Sequence, residues 1–151
     1  MKLSKNFYLS EFLVSQYATR HGIKNEPPAA HLVRLKYLVA NVLQPVRDKF
    51  GPVIISSGYR SKELNAAIGG SVTSQHSIGE AADFEVPGLD NKKLADWIKD
   101  NLKFDQLILE FYKDGDPNSG WVHCSYAEGD NRKECLRASK VDGKTKYTQG
   151  W

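Results

Sequence analysis

Residues 106–112 read QLILEFY and residues 121–126 read WVHCSY, two short runs rich in apolar and aromatic side chains. Runs of this length and composition favour β-strands. Residues 113–120 between them read KDGDPNSG, and Gly, Asp, Asn and Pro are the residues that form turns. The three stretches together predict a β-hairpin whose strands lie side by side in an antiparallel sheet.

Further strands and a long helix are predicted upstream of this hairpin. The β-branched run Val53–Ile55 is suited to a buried strand, and Ala81–Val86 predicts another strand, which ends at Pro87. From Leu32 to Val46, apolar residues recur at steps of three and four, which predicts a helix with one face in the core. Because Pro45 lacks a backbone N–H, we expect a kink near the end of that helix.

Shorter helices and a C-terminal hairpin complete the predicted fold. Start and stop signals predict helices over 10–18 and 61–67 and a helix capped by Asp90, whereas the polar stretch 71–80 predicts a loop. Residues 127–151 are polar with scattered aromatics, and we expect an edge hairpin there. Helices that precede a mainly antiparallel sheet give an α+β fold.

Size and composition exclude several classes of function. At 151 residues with 40% hydrophobic residues, the chain is long enough for a single domain, 1–151, with its own core. The 21 basic and 18 acidic residues give a net charge of +3, too small for a dedicated nucleic-acid-binding protein. No apolar run approaches the roughly 18 residues that cross a bilayer, and residues 1–7 lack the apolar stretch of a signal peptide. We therefore expect a monomer that is made in the cytoplasm, has no transmembrane segment and binds no nucleic acid.

The two cysteines, Cys124 and Cys135, are too few for a disulfide framework. One bridge between them stays open, although reduced buried thiols are the simpler interpretation. Because side chains alternate along a strand, Cys124 is expected to point to the opposite face from His123.

Two of the four histidines, His76 and His123, are candidate metal ligands. His76 sits in the predicted loop, Asp83 follows in a predicted strand, and His123 lies within the second hairpin strand. Two imidazoles and one carboxylate suit a catalytic zinc site, whose fourth position is left to water. Zinc lowers the pKa of that water to about 7 and supplies a nucleophile at neutral pH. Taken singly, each histidine is more often a hydrogen-bonded structural residue than a ligand.

Glu110 follows the apolar run Leu107–Leu109, and the predicted hairpin brings it back beside the strand of His123. A carboxylate in that place can take a proton from the water nucleophile and hand it to the leaving amine. The alternative is an ordinary strand residue that faces solvent.

Four short motifs occur in order along the chain. Residues 57–61 read SGYRS, residues 74–83 read SQHSIGEAAD, residues 105–111 read DQLILEF and residues 120–123 read GWVH. In this order they resemble the M15 zinc peptidases, which include D-alanyl-D-alanine carboxypeptidases and phage L-alanyl-D-glutamate endolysins. The resemblance covers about residues 7–126 and leaves 127–151 as a polar C-terminal extension. It implies a Hedgehog/DD-peptidase-like fold, with N-terminal helices packed on a small sheet, and one zinc ion per chain.

The resemblance also implies roles for individual residues. The metal ligands of the family fall on His76, Asp83 and His123. The arginine of the SGYR motif, which contacts substrate and steadies the developing oxyanion in relatives, falls on Arg60. Its planar, permanently charged guanidinium suits a carboxylate or an oxyanion.

The position of the catalytic acid departs from part of the family. Some relatives place it three residues before the last histidine, where this chain has Gly120, which transfers no proton. The resemblance therefore gives the acid and base role to Glu110. Three further residues are assigned to substrate binding: Ser74 and Gln75, which alternatively only shape their loop, and Trp121, which alternatively only packs.

The function that this sequence predicts is zinc-dependent hydrolysis of peptide bonds in the stem peptides of peptidoglycan. A D-Ala-D-Ala carboxypeptidase and an L-Ala-D-Glu endopeptidase both fit the motifs. The alternatives are a zinc-binding module without turnover, as in the related Hedgehog signalling domain, and a structural or wall-binding protein of the same fold. Action on the cell wall after release by phage lysis is one expectation, and a bacterial or prophage origin is equally compatible.

Overall fold

Apolar residues that alternate along the central strands of a six-stranded sheet pack against helices on one face of that sheet. The computed structural model describes residues 1–151. The strands are β1 (Ile54–Ser57), β2 (Ala81–Glu85), β3 (Gln106–Glu110), β4 (Trp121–Ser125), β5 (Glu134–Val141) and β6 (Lys144–Gln149). They lie in the order β1-β2-β4-β3-β5-β6, and every neighbouring pair is antiparallel except β3 and β5. The predicted α+β class is confirmed, and so is the antiparallel pairing of residues 106–112 with residues 121–126, which contain β3 and β4.

The chain has six α-helices and two irregular helical segments in addition to this sheet. The helices are α1 (Ser10–Leu13), α2 (Gln16–His21), α3 (Ala29–Leu38), α4 (Gln44–Phe50), α5 (Lys62–Ala67) and α6 (Asn91–Asn101). A π-helical segment, Val39–Leu43, joins α3 to α4, and a 3₁₀ turn covers Gln75–Ile78. The prediction of one helix over 10–18 is wrong, because Val14 is extended and the Ser15 side chain caps a new helix at the Ala18 N–H.

The long N-terminal helix changes its winding before Pro45. The π-helical segment ends at Leu43, and Pro45 then lies in the first turn of α4, where no backbone N–H is needed. The predicted irregularity near Pro45 is thus confirmed in the form of a widened turn. One face of this helical stretch is fully buried through Leu35, Leu38, Val39, Val42, Leu43 and Val46.

The core lies between the helices and one face of the sheet. The residues that face it from the central strands are Ala82, Phe84, Leu107, Leu109, Val122 and Cys124. The residues between them in sequence point to the other face, which we call the site face. Cys124 is fully buried in the core, as predicted, and both cysteines are free thiols. The expectation of a buried strand at Val53–Ile55 is wrong, because β1 is an edge strand and Ile54 is 57% exposed.

The expected C-terminal edge hairpin is confirmed and consists of β5 and β6. We call these two strands the C-terminal hairpin. It joins the sheet through β5, which runs parallel to β3. None of the helices is both long and apolar enough to pass through a membrane.

The buried carboxylate of Asp105 forms hydrogen bonds with the segment just before this hairpin. Asp105 accepts hydrogen bonds from the backbone N–H of Arg132 at 3.0 Å and from its Nε and Nη2 at 3.0 and 2.9 Å. Gln75 Nε2 donates a further bond at 2.9 Å. The bonds from Arg132 are the main reason why the pKa of Asp105 is lowered. This carboxylate therefore joins the 3₁₀ turn to the C-terminal segment.

Candidate active site

His76, Asp83 and His123 come together on the site face. Strand pairing places Asp83 directly opposite His123, and their Oδ1 and Nδ1 atoms lie 2.8 Å apart. His76 Nε2 lies 3.4 Å from the same Asp83 oxygen. One ligand atom from each of the three residues lies within 4.8 Å of the others. Ligand atoms about 2.0–2.1 Å from one zinc ion at tetrahedral angles are separated by about 3.4 Å, so this donor set fits a single ion.

The 3₁₀ turn orients His76. Its Nδ1 lies 2.8 Å from the carbonyl oxygen of Gly58, which only accepts hydrogen bonds. Nδ1 must therefore carry the proton and donate it, which leaves the Nε2 lone pair directed towards Asp83. Gly58 is required for this approach, because a side chain there would overlap the backbone of Phe12. The Ser74 hydroxyl holds the start of the turn by accepting from the His76 backbone N–H at 3.2 Å.

The protonation states of this cluster suit a metal ligand set. Burial lowers the pKa of His76 and so favours the neutral imidazole. Burial alone would raise the pKa of Asp83, but the hydrogen bond from His123 and the proximity of His76 outweigh it and lower that pKa. A neutral imidazole and an ionised carboxylate are the forms that bind a metal ion.

All eight residues that the sequence analysis assigned to the site line one cleft of about 680 Å³ on the site face. These residues are Arg60, Ser74, Gln75, His76, Asp83, Glu110, Trp121 and His123. We call this feature the cleft. Only 3 of its 14 lining residues are hydrophobic, so a polar ligand suits it.

Glu110 stands at the end of β3, directly opposite Trp121 of β4. The strand ends there because Phe111 takes a positive φ of 54°. Burial raises the pKa of Glu110 to about 7, and the negative charge of Asp83 adds to the effect. A carboxyl group with such a pKa can both accept and donate a proton near neutral pH. The alternative of an ordinary solvent-facing residue does not describe this half-buried side chain in the cleft.

Gly120 occupies the position where some relatives place their acid. It adopts a φ of +63°, in the left-handed region. A Cβ atom added there would overlap the backbone carbonyl oxygen of Glu110. The backbone itself therefore excludes an acidic side chain at position 120.

Arg60 lies half-buried beside the cluster. Its Nη2 donates to the Ser74 hydroxyl at 3.3 Å, and its buried Nε has no partner in the chain. Burial lowers its pKa, while the negative charges of Asp83 and Glu110 oppose that shift. Arginine remains charged in proteins, so the cleft holds a fixed cation with an unused donor.

Ser74 and Gln75 are engaged in hydrogen bonds of their own loop. Ser74 caps the 3₁₀ turn and accepts from Arg60, whereas Gln75 Nε2 donates to Glu80 at 3.2 Å and to Asp105 at 2.9 Å. These contacts support the loop-shaping interpretation. The assignment of both residues to substrate binding stays a prediction.

Six cleft residues were missed by the sequence analysis: Ser71, Thr73, Gln106, Ile108, Arg132 and Tyr147. Strand alternation offers a signal for Gln106 and Ile108, because both share the parity of Glu110. For Tyr147 no such signal exists, because its position depends on the pairing of β5 with β3. Arg132 likewise has none, because it is held by its hydrogen bonds to Asp105.

Comparison with known proteins identifies the family of this chain. A family model described as Peptidase M15 matches residues 5–125, which include the three clustered residues, Arg60 and Glu110. A comparison with curated proteins gives no match. The matched range covers most of the chain, and peptidases of this family depend on zinc. This protein therefore belongs to the M15 family of metallopeptidases.

Proposed function

We propose that this protein is a zinc peptidase that hydrolyses peptide bonds in the stem peptides of peptidoglycan, and that it acts on the cell wall. A D-Ala-D-Ala carboxypeptidase and an L-Ala-D-Glu endopeptidase are the two activities of this class. The observation that carries the proposal is the meeting of a three-residue donor set, a carboxyl group and an arginine in one cleft.

The metal would be held by His76, Asp83 and His123, one ion per chain. These residues supply two imidazoles and one carboxylate and leave the side towards the cleft open. A zinc ion in this place activates water for attack on a peptide carbonyl.

Glu110 is the general base and acid in this proposal. Its carboxylate takes a proton from the attacking water and then gives that proton to the departing amine nitrogen. Burial raises the pKa of Glu110, and a carboxyl group whose pKa lies near the working pH can serve in both transfers.

In this proposal, Arg60 binds the carbonyl oxygen of the cleaved peptide bond, which gains negative charge as the carbonyl is attacked. The alternative partner is a carboxylate of the substrate, and both roles use the same guanidinium group. Its fixed charge lies at the cleft beside Ser74, and its buried Nε–H has no hydrogen-bond partner in the chain. Donors that are already in place stabilise developing charge without reorganisation. A zinc-binding module without turnover needs neither this arginine nor a carboxyl group of raised pKa, so both residues favour the enzyme.

Digestion of purified peptidoglycan tests this function. We expect the protein to release fragments that mass spectrometry identifies either by loss of terminal D-alanine or by a new amino terminus at D-glutamate. A chelator should abolish the release, and added zinc should restore it. Peptidoglycan that stays intact under all conditions contradicts the proposal and favours a structural or wall-binding role.

The Arg60→Lys variant should lose activity while it keeps its zinc. Lysine retains the charge but lacks the planar set of donors, so the rate should fall by up to about 10²–10³-fold, the range for a lost oxyanion donor. The measurement is kcat/KM on a soluble stem peptide together with zinc content. Arg20→Lys, at an exposed arginine, is the matched control. A wild-type rate in Arg60→Lys makes the arginine structural.

A further inference from the structure

The C-terminal hairpin reaches the cleft although it lies beyond the residues that the family model matches. The match ends at residue 125, whereas β5 and β6 cover Glu134–Val141 and Lys144–Gln149. Tyr147 of β6 nevertheless lines the cleft together with Glu110 and the three clustered residues. The β6 side of the cleft, where Tyr147 lies, therefore belongs to a part of the chain outside the range that the family model matches.

Strand pairing places Tyr147 in one row with Glu110. Trp121 pairs with Glu110, Glu110 pairs with Ala138, and Ala138 pairs with Tyr147. Directly paired residues project to the same face of a sheet, so this row crosses the site face. Glu110 and Tyr147 are two strand spacings apart, about 10 Å.

The residue between them in this row is small. Ala138 carries only a methyl group and is 1% exposed, whereas the neighbouring row has Leu136 at the equivalent place in β5. Ala138 therefore places no long side chain of β5 between Glu110 and Tyr147, both of which line the cleft.

Tyr147 has a free polar group to offer. Its side chain is 55% exposed, and no hydrogen bond contributes to the shift of its pKa. Partial burial raises the pKa of Tyr147, and the charges of Glu110 and Asp83 raise it further. The phenol therefore stays protonated at neutral pH and is a hydrogen-bond donor, which suits a peptide carbonyl oxygen.

We propose that Tyr147 is a substrate-binding residue, whose ring forms the β6 wall of the cleft and whose hydroxyl donates a hydrogen bond to a backbone carbonyl of the bound stem peptide. This inference rests on the proposed function and extends it to the C-terminal hairpin. It makes the hairpin a part of the enzyme that binds the substrate, in addition to completing the sheet.

The test uses the full chain with zinc and the synthetic peptide L-Ala-D-Glu-L-Lys-D-Ala-D-Ala. Binding is measured by calorimetry in a Glu110→Gln background, and cleavage of peptidoglycan is measured in the otherwise wild-type chain. Tyr147→Phe should weaken binding and lower cleavage by about 3- to 10-fold, the range for one neutral hydrogen bond. Tyr147→Ala should reduce both further, because the ring contact is also lost. Tyr37→Ala, at an exposed tyrosine of α3, is the matched control and should change neither.

Zinc content and circular dichroism show whether each variant is folded. If Tyr147→Ala unfolds the hairpin, Tyr147→Phe decides, because it keeps the ring and removes only the hydroxyl. Unchanged binding and cleavage in the folded variants, next to an active wild type, overturn this inference and leave the proposed function intact. If the wild type does not cleave peptidoglycan and the Glu110→Gln chain does not bind the peptide, the proposed function is overturned, and this inference with it.

Discussion

The Glu110→Gln variant should turn over its substrate about 10²–10⁴-fold more slowly than the wild type, the usual contribution of a placed proton-transfer group. Glutamine keeps the shape of the side chain but neither takes up nor returns a proton. Zinc content and thermal stability should stay close to those of the wild type, because Glu110 is not proposed as a ligand. The measurement is kcat on a soluble stem peptide with elemental analysis of the same sample.

Glu63→Gln, at an exposed glutamate of α5, is the control for loss of one negative charge. Two results would contradict the assignment in different ways. Loss of zinc from Glu110→Gln would make Glu110 a ligand, whereas full activity would place the base elsewhere, with Glu80 and Asp116 as the next carboxylates to replace.

The His76→Ala, His123→Ala double variant should lose its zinc and all measurable turnover. Wild-type protein purified without added metal should contain one zinc per chain, because three protein ligands with an open position form a catalytic site. The double variant keeps only Asp83, and one carboxylate does not hold zinc against dilution. Elemental analysis measures the metal, and circular dichroism checks that the buried His76 position still folds.

His21→Ala, at an exposed histidine outside the cleft, should retain one zinc and full activity. Tight zinc in the double variant would be incompatible with this ligand set and would require a different metal site.

Local signals predicted those parts of the fold that depend on neighbouring residues. The helix after Asp90 begins at Asn91, because the Asp90 side chain accepts from the Lys92 backbone N–H. The break at Val14 was not predicted, because no proline or glycine marks it. The 3₁₀ turn inside the expected loop at 71–80 was also missed, since a single turn leaves no periodic pattern.

The parts of the site that depend on distant pairing could not be predicted in this way. The hairpin of β3 and β4 places Ile108 opposite His123, and a turn between adjacent runs is visible in sequence. The parallel pairing of β5 with β3 joins strands that are not adjacent in sequence, and no local pattern sets its register. Tyr147 reaches the cleft only through that register, and Arg132 only through its bonds to the buried Asp105.

Gly120 has a consequence for how such an enzyme can change over time. Any side chain at this position meets the carbonyl oxygen of Glu110, so it displaces the strand end that holds the proposed base. A single substitution that introduces an acid at position 120 therefore disturbs the proposed base before the new acid is correctly placed. An acid at this position needs a turn at 113–120 with another backbone course, which is a change of loop geometry rather than of one side chain.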